Sequence, residues 1–343
     1  MTQTTTESLE RGSAADAATA KEATRRSRAM RGPFLQRYAL VLLFAAVGLF
    51  FAVRLPDSFA TVLNFRNIVG NQSVLAIVSI AAILPLIAGQ FDLSIGSVLG
   101  LTTIATASAL SRFSAPIWVA ALVGIGLGAA VGAFNGFVIA KLGVNALITT
   151  LGVATVITGL ISLYTNGLSI LTGIPESLTN LGSGTWLGLP RTLYALAAVA
   201  VFAWYLLEHT PFGRYLHAVG SNPNAARLVG LDVDRIVIRS FVVSGALIGF
   251  GGVLEVARQG GGNPQTGNFF LMPALSAAFL GATSIHPGRF NVPGTIVSVF
   301  FLATTVSGLA LSGVDNWVES VFNGAALAIA VGLSTYLGRR HAG

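Results

Sequence analysis

Four acids, Asp92, Glu255, Asp315 and Glu319, lie inside or at the edges of long apolar stretches, in a chain with only 13 acidic residues. Each stands alone. An ion-coupled carrier generally clusters its intramembrane acids, so single acids near helix ends argue against that chemistry. Glu255 and Arg258, three apart, share a helical face and are placed to pair. Polar amides and hydroxyls are also set into apolar runs: Asn71, Gln72, Asn135, Asn145, Thr149, Thr155 and Asn323. Such groups can exchange hydrogen bonds with a small polar solute, or with a neighbouring helix. The usual engines are missing from the sequence. No G-x-x-x-x-G-K-[ST] loop is present to cradle ATP, and no G-x-S-x-G elbow to present a nucleophile. There is no cysteine, and the four histidines form no H-E-x-x-H. We therefore expect no catalytic residue, no metal and no cofactor held by this chain.

The elements that must position these groups are helices. Of 343 residues, 53% are hydrophobic and 10% charged, and the mean hydropathy is +0.75. A water-soluble domain carries roughly a quarter charged residues, so much of this surface meets lipid. The pattern predicts an all-α polytopic membrane protein with about ten transmembrane helices. Expected spans are 36–54, 67–88, 93–110, 115–140, 145–164, 192–208, 240–257, 270–284, 292–311 and 316–337. The glycine-rich run GIGLGAAVGAFNG at 124–136 reads as a helix-packing face.

Charge sets the orientation. Ten crossings leave Arg54, Arg66, Arg112, Arg191 and Arg258 outside and the other Lys and Arg inside, the favoured bias, with both termini cytoplasmic. Residues 1–32 read as a disordered basic tail, able to meet anionic lipid, and 33–338 as one transmembrane domain. This placement of the positive charge gives no reason to expect nucleic acid as a partner.

The longest cytoplasmic segment, 209–239, carries a short helix capped by Asn222, opened by Pro223 and ended near Gly230. Its stretch FGRYLHAVGSNPNAARLVGLDVDR resembles the cytoplasmic stretch of permease subunits of bacterial ABC importers of the ribose and simple-sugar type, which are related to branched-chain amino acid permeases. GQFDLSIGSVLG, VNALITTLGVATVITGL, and FLGATS followed by PGRFNVPGT resemble three further signatures, and the likeness covers about residues 60–335.

The resemblance implies an ABC importer permease fold in the bacterial inner membrane. It also implies three partners: a second permease subunit, expected as a homodimer; a cytoplasmic ATPase that uses ATP and Mg2+; and an extracytoplasmic substrate-binding protein. Gly213, Ala218, Gly220, Asn222, Ala225, Ala226 and Gly230 match the coupling pattern. Arg227 and Leu228 are added here as the expected ATPase contacts, the apolar chain filling a groove and the basic one pairing at its rim. The implied solute is a sugar such as ribose, xylose or rhamnose. A nucleoside or branched-chain amino acid within the same mechanism, and an ion-coupled carrier, are the alternatives.

Departures from the pattern occur at Gln90 and Phe91, at Leu271 and Pro273 where the sugar branch often carries acids, and at Ile285, His286 and Pro287. Asp92 sits in the turn between two apolar helices. Two roles are open to it: capping the following helix, or gating the path. GQFDL at 89–93 and GRFNV at 288–292 share G-x-F-[DN]-[LV], a short internal likeness.

Overall fold

Long apolar runs rich in small residues have no water to satisfy their backbone, so they close their hydrogen bonds as helices. The computed structural model describes residues 37–315 and 317–341, with side chains as far as residue 332. The basic tail, 1–32, lies outside the described residues. Helix α1 runs Arg37–Arg54, α2 Val62–Ile87, α3 Ile95–Ser111, α4 Ile117–Leu142 and α5 Ala146–Thr165. A short α6, Glu176–Ser183, precedes a hairpin of β1, Thr185–Trp186, and β2, Leu189–Pro190. Then come α7 Arg191–His209, α8 Pro211–Ser221, α9 Pro223–Leu228, α10 Val233–Gln259, α11 Thr266–Gly281, α12 Val292–Leu311 and α13 Trp317–His341.

The chain is an all-α polytopic membrane protein. Among the described residues, seven helices are long and apolar enough to cross a membrane: α1, α2, α4, α5, α7, α10 and α12. Three apolar segments, Ile95–Ser111, Thr266–Gly281 and Trp317–Gly332, are shorter. Among the seven long helices, α2 and α10 are the most enclosed, whereas α1 is largely exposed.

The main helix–helix seam joins α4 to α10. Gly124, Gly128, Gly132 and Gly136 repeat every fourth residue and are all buried. A Cβ on Gly128 would collide with the carbonyl oxygen of Gly245, and one on Gly249 would lie 2.5 Å from that of Gly124. Without side chains between them, the two backbones pack directly, which is how helices associate where lipid removes the hydrophobic drive. The glycine run at 124–136 is therefore a packing face.

Several boundaries differ from the sequence expectation. Helix α2 starts at Val62, capped by the Thr61 hydroxyl, which accepts from Asn64 N–H at 3.1 Å. The expected span begins later, at 67. Helix α10 is continuous from Val233, with Asp232 accepting from Arg235 N–H at 3.0 Å. The charged segment before residue 240 is helical because Ile236, Val237 and Ser240 turn inward and are buried. The glycine run after α10 does not loop into solvent. Gly261 and Gly262 are buried, and Ile170 and Gly262 exchange backbone hydrogen bonds at 2.8 and 2.9 Å. The chain then descends beside α3, with Gly262 near Ala107 and Gly267 against Gly96.

Candidate functional site

One cavity gathers polar side chains at the end of the bundle away from α8 and α9. It encloses about 420 Å³. Helix α2 supplies Asn64, Asn67, Asn71 and Gln72, α10 supplies Arg258, and α13 supplies Glu319 and Asn323. Phe269 and Phe270 of α11 and apolar residues of α12 complete the wall. A larger recess of about 880 Å³ lies among α3, α4 and α5, lined by residues such as Leu101, Ile104, Val123 and Leu160. It presents almost only carbon, so it suits an acyl chain or a helix better than a polar solute. The smaller cavity is the candidate site.

Arg258 in its wall belongs to an ion pair. Arg258 donates from Nη2 to Glu255 Oε1 at 2.8 Å and from Nε to Oε2 at 3.1 Å, a two-pronged contact. Its Nη1 donates to Asn71 Oδ1 at 2.8 Å, tying α10 to α2. Glu255 is fully buried, and Gln259 Nε2 also donates to it. A buried carboxylate persists only when its lone pairs meet donors, and here the guanidinium and an amide supply them.

Of the residues singled out from sequence, Asn71, Gln72 and Asn323 meet at this cavity. The others do not. Asn145 caps α5, accepting from Leu147 N–H at 2.9 Å, and is exposed. Thr155 donates to its own helix at Leu151 O, 2.9 Å, and Thr149 is buried in a separate apolar groove between α4 and α5. Asn135 is buried and donates from Nδ2 to Ser94 Oγ at 2.9 Å. Ser94 in turn donates from Oγ to Asp92 Oδ1 at 2.6 Å, and its N–H reaches the same oxygen at 2.8 Å. Asp92 thus stands two residues ahead of the α3 cap position. It holds the turn through Ser94, whose N–H and hydroxyl are the donors to its carboxylate among the described residues, and the Ser94 side chain itself makes no cap bond.

Asn64, Asn67, Phe269 and Phe270 were missed from sequence. The signal was present: Asn64, Asn67 and Asn71 follow a spacing of three then four, one face of a helix. Starting the helix at 67 hid it.

The opposite end carries α8 and α9. Thr210 opens α8, and Asn222 caps α9 by accepting from Ala225 N–H at 3.0 Å with Pro223 in the first turn. Gly213 lies against the Leu207 carbonyl, which sets the tight α7–α8 corner. Gly220 lies directly on the Ile87 carbonyl at the end of α2. Ala226 is buried, while Ala218, Ala225 and Gly230 are exposed. Leu228 is 89% exposed, an apolar knob at the tip. The Arg227 side chain is 57% exposed. It pairs with Asp234 at 3.1 Å, and Lys141 of α4 joins the same carboxylate at 3.0 Å.

A helical bundle with a polar cavity near one end and a two-helix platform at the other fits a transport subunit, and comparison with known proteins agrees. Residues 64–331 match the family described as the branched-chain amino acid transport system permease component. The chain belongs to this permease family. The permease is 34% identical to the ribose import permease of Escherichia coli strain K12 over 280 residues, 81% of this chain and 87% of that protein. It is 31% identical to the L-arabinose transport system permease of the same organism, over 89% of this chain and 92% of the relative. With its galactose/methyl galactoside import permease it shares 31%, over 81% of this chain and 88% of the relative. No solved structure matches the permease.

Proposed function

We propose that this chain is the membrane permease of an ATP-driven importer for a simple sugar, in the bacterial inner membrane. The observation that carries this reading is the near full-length likeness to permeases named for ribose, arabinose and galactose. In this reading the chain is not an enzyme. A cytoplasmic ATPase spends ATP with Mg2+, an extracytoplasmic binding protein delivers the sugar, and a second copy of the permease completes the pathway. The seven long helices together with α3, α11 and α13 make ten crossings, which puts both termini in the cytoplasm with α8 and α9.

The geometry suggests how force is passed on. The ATPase takes Leu228 into a groove, with Ala218, Ala225 and Gly230 as the close surface around it. Arg227, locked to Asp234, holds α9 onto the start of α10. Gly220 rests on the Ile87 carbonyl, so a push on α8 reaches the end of α2 with no side chain to absorb it. The other half of α2 carries Asn71 and Gln72 into the polar cavity. Helix α2 is then the rod between platform and path.

Co-purification with the ATPase and sugar uptake test this. Deleting Asn222–Gly230 is expected to abolish both, whereas Gly220→Leu is expected to retain the ATPase and lose uptake. If the deletion leaves both intact, the platform is not the docking element. Uptake that survives ATP depletion under a maintained membrane potential would identify an ion-coupled carrier instead.

A further inference from the structure

The polar cavity has a charge arrangement that selects among solutes. Arg258 is its most strongly polar group, yet its charge is already matched. Two of its N–H groups engage Glu255 and a third engages Asn71. A guanidinium has five N–H donors, so two remain for a ligand, but no net positive charge is left to attract one. The other charged side chain of the lining is Glu319, which is exposed and has no ion pair among the described residues. An incoming carboxylate would find a neutralised cation and a free anion. A neutral ring with hydroxyls finds the opposite. The Gln72 and Asn323 side chains have no hydrogen-bond partner among the described residues, and both line the cavity. Each amide offers both donors and an acceptor, as adjacent hydroxyls require. Phe269 and Phe270 add apolar ring surface for the C–H face of such a solute.

We propose that this cavity is itself a selecting site for neutral polyhydroxylated rings, and that Glu255 bars carboxylates from it by neutralising Arg258. The inference rests on the import reading above and deepens it: selection does not lie wholly with the binding protein. A site built to hydrogen-bond hydroxyls rejects solutes that leave its amides unpaired. Glu255 touches no solute, so it is a positioning and charge-setting residue.

The test uses the permease purified with its ATPase and without the binding protein. Binding of radiolabelled D-ribose, L-arabinose and D-galactose is measured, with galacturonate and leucine as competitors. At least one neutral sugar is expected to bind saturably in the millimolar range, and neither competitor to displace it. Gln72→Leu and Asn323→Leu are expected to weaken that binding by about tenfold or more. Glu255→Gln frees the charge of Arg258 and is expected to let galacturonate compete. The double variant Glu255→Gln/Arg258→Gln removes both charges, and in it galacturonate is expected to stay excluded. This second variant separates a freed cation from a merely loosened cavity.

Parental binding by Gln72→Leu and Asn323→Leu would overturn the site. Parental competition by galacturonate or leucine would overturn the charge argument. Sugar uptake by the full system without saturable sugar binding to the parental permease–ATPase complex would overturn the inference and leave the import reading standing. Import of leucine and of no sugar would overturn both.

Discussion

Two turns in this molecule share a sequence pattern and solve it differently. GQFD, 89–92, leads into α3, and GRFN, 288–291, leads into α12. Both begin with a glycine at positive φ, 77° and 85°. Both aim a phenylalanine at the same ring: Phe91 and Phe290 lie 5.8 and 5.3 Å from Phe279. The difference is the last residue. Asn291 is a true cap, its Oδ1 accepting from Gly294 N–H at 2.8 Å. Its Nδ2 faces the carbonyls of Arg289, Ser284 and Gly281 at 3.0, 3.1 and 3.3 Å. Asp92 has no N–H to give, and its partners are donors only, the N–H and hydroxyl of Ser94. An amide binds both ends of a loop together, whereas a carboxylate gathers donors and extends itself through Ser94 to Asn135 on α4. The turn at GRFN is a self-contained clasp, and the turn at GQFD is one end of a chain of polar contacts between helices.

This contrast predicts unequal answers to the same exchange. Asn291→Asp replaces a donor with a charge facing three carbonyl oxygens. It is expected to cost about 4 kcal/mol, as breaking a satisfied buried polar site does. Asp92→Leu leaves the Ser94 N–H and hydroxyl without their acceptor, an expected cost of about 3 kcal/mol. Asp92→Asn keeps an acceptor in place and is expected to cost about 1 kcal/mol. Thermal unfolding of the purified permease gives all three. An Asn291→Asp variant milder than Asp92→Asn would break the comparison. Uptake sharpens it: activity kept in Asp92→Asn and lost in Asp92→Leu supports a turn-holding role. Loss in both, with unfolding temperature and assembly unchanged for Asp92→Asn, would make the charge itself part of a gate.

What could be read from sequence follows the range of the interactions. The Asn222–Pro223 helix start was legible because cap and first turn are neighbours. The Glu255–Arg258 pair was legible because a spacing of three is local. The glycine face of α4 was legible as a packing surface, although its partner on α10 was not. Asn71 as the third member of the ion-pair cluster was hidden, since it stands 187 residues from Arg258. The polar start of α2 and the charged start of α10 were read as loops because their buried faces are set by tertiary packing, which overrides composition. The GGGNPQ stretch falls between expected spans, and its packing was hidden for the same reason. Glycine there permits close packing on α3 as readily as it permits a turn.

Helix α8 packs beside the first of these turns and shares a cavity with the second, and its histidine distinguishes them. Gly220 lies against the residues just before GQFD, while His217 and Arg289 line one cavity beside GRFN. Burial pushes the His217 pKa below its ordinary 6.5; Glu208 opposes that shift and the nearby charge of Arg289 adds to it. A base with a depressed pKa in the folded state stays neutral there while the unfolded chain takes up its proton. Stability is then fully present above 6.5, falls as pH drops from 6.5 to the folded value, and levels off below it. Unfolding temperature is expected to drift down slightly across that window, and His217→Gln to flatten the drift. Arg289→Gln removes the repulsion, raises the histidine pKa and narrows the window. Asp92→Asn leaves the drift in place, because Asp92 is not among the groups that shift His217. If Asp92→Asn removed the drift and Arg289→Gln did not, α8 would be sensing the turn before α3 rather than the turn before α12.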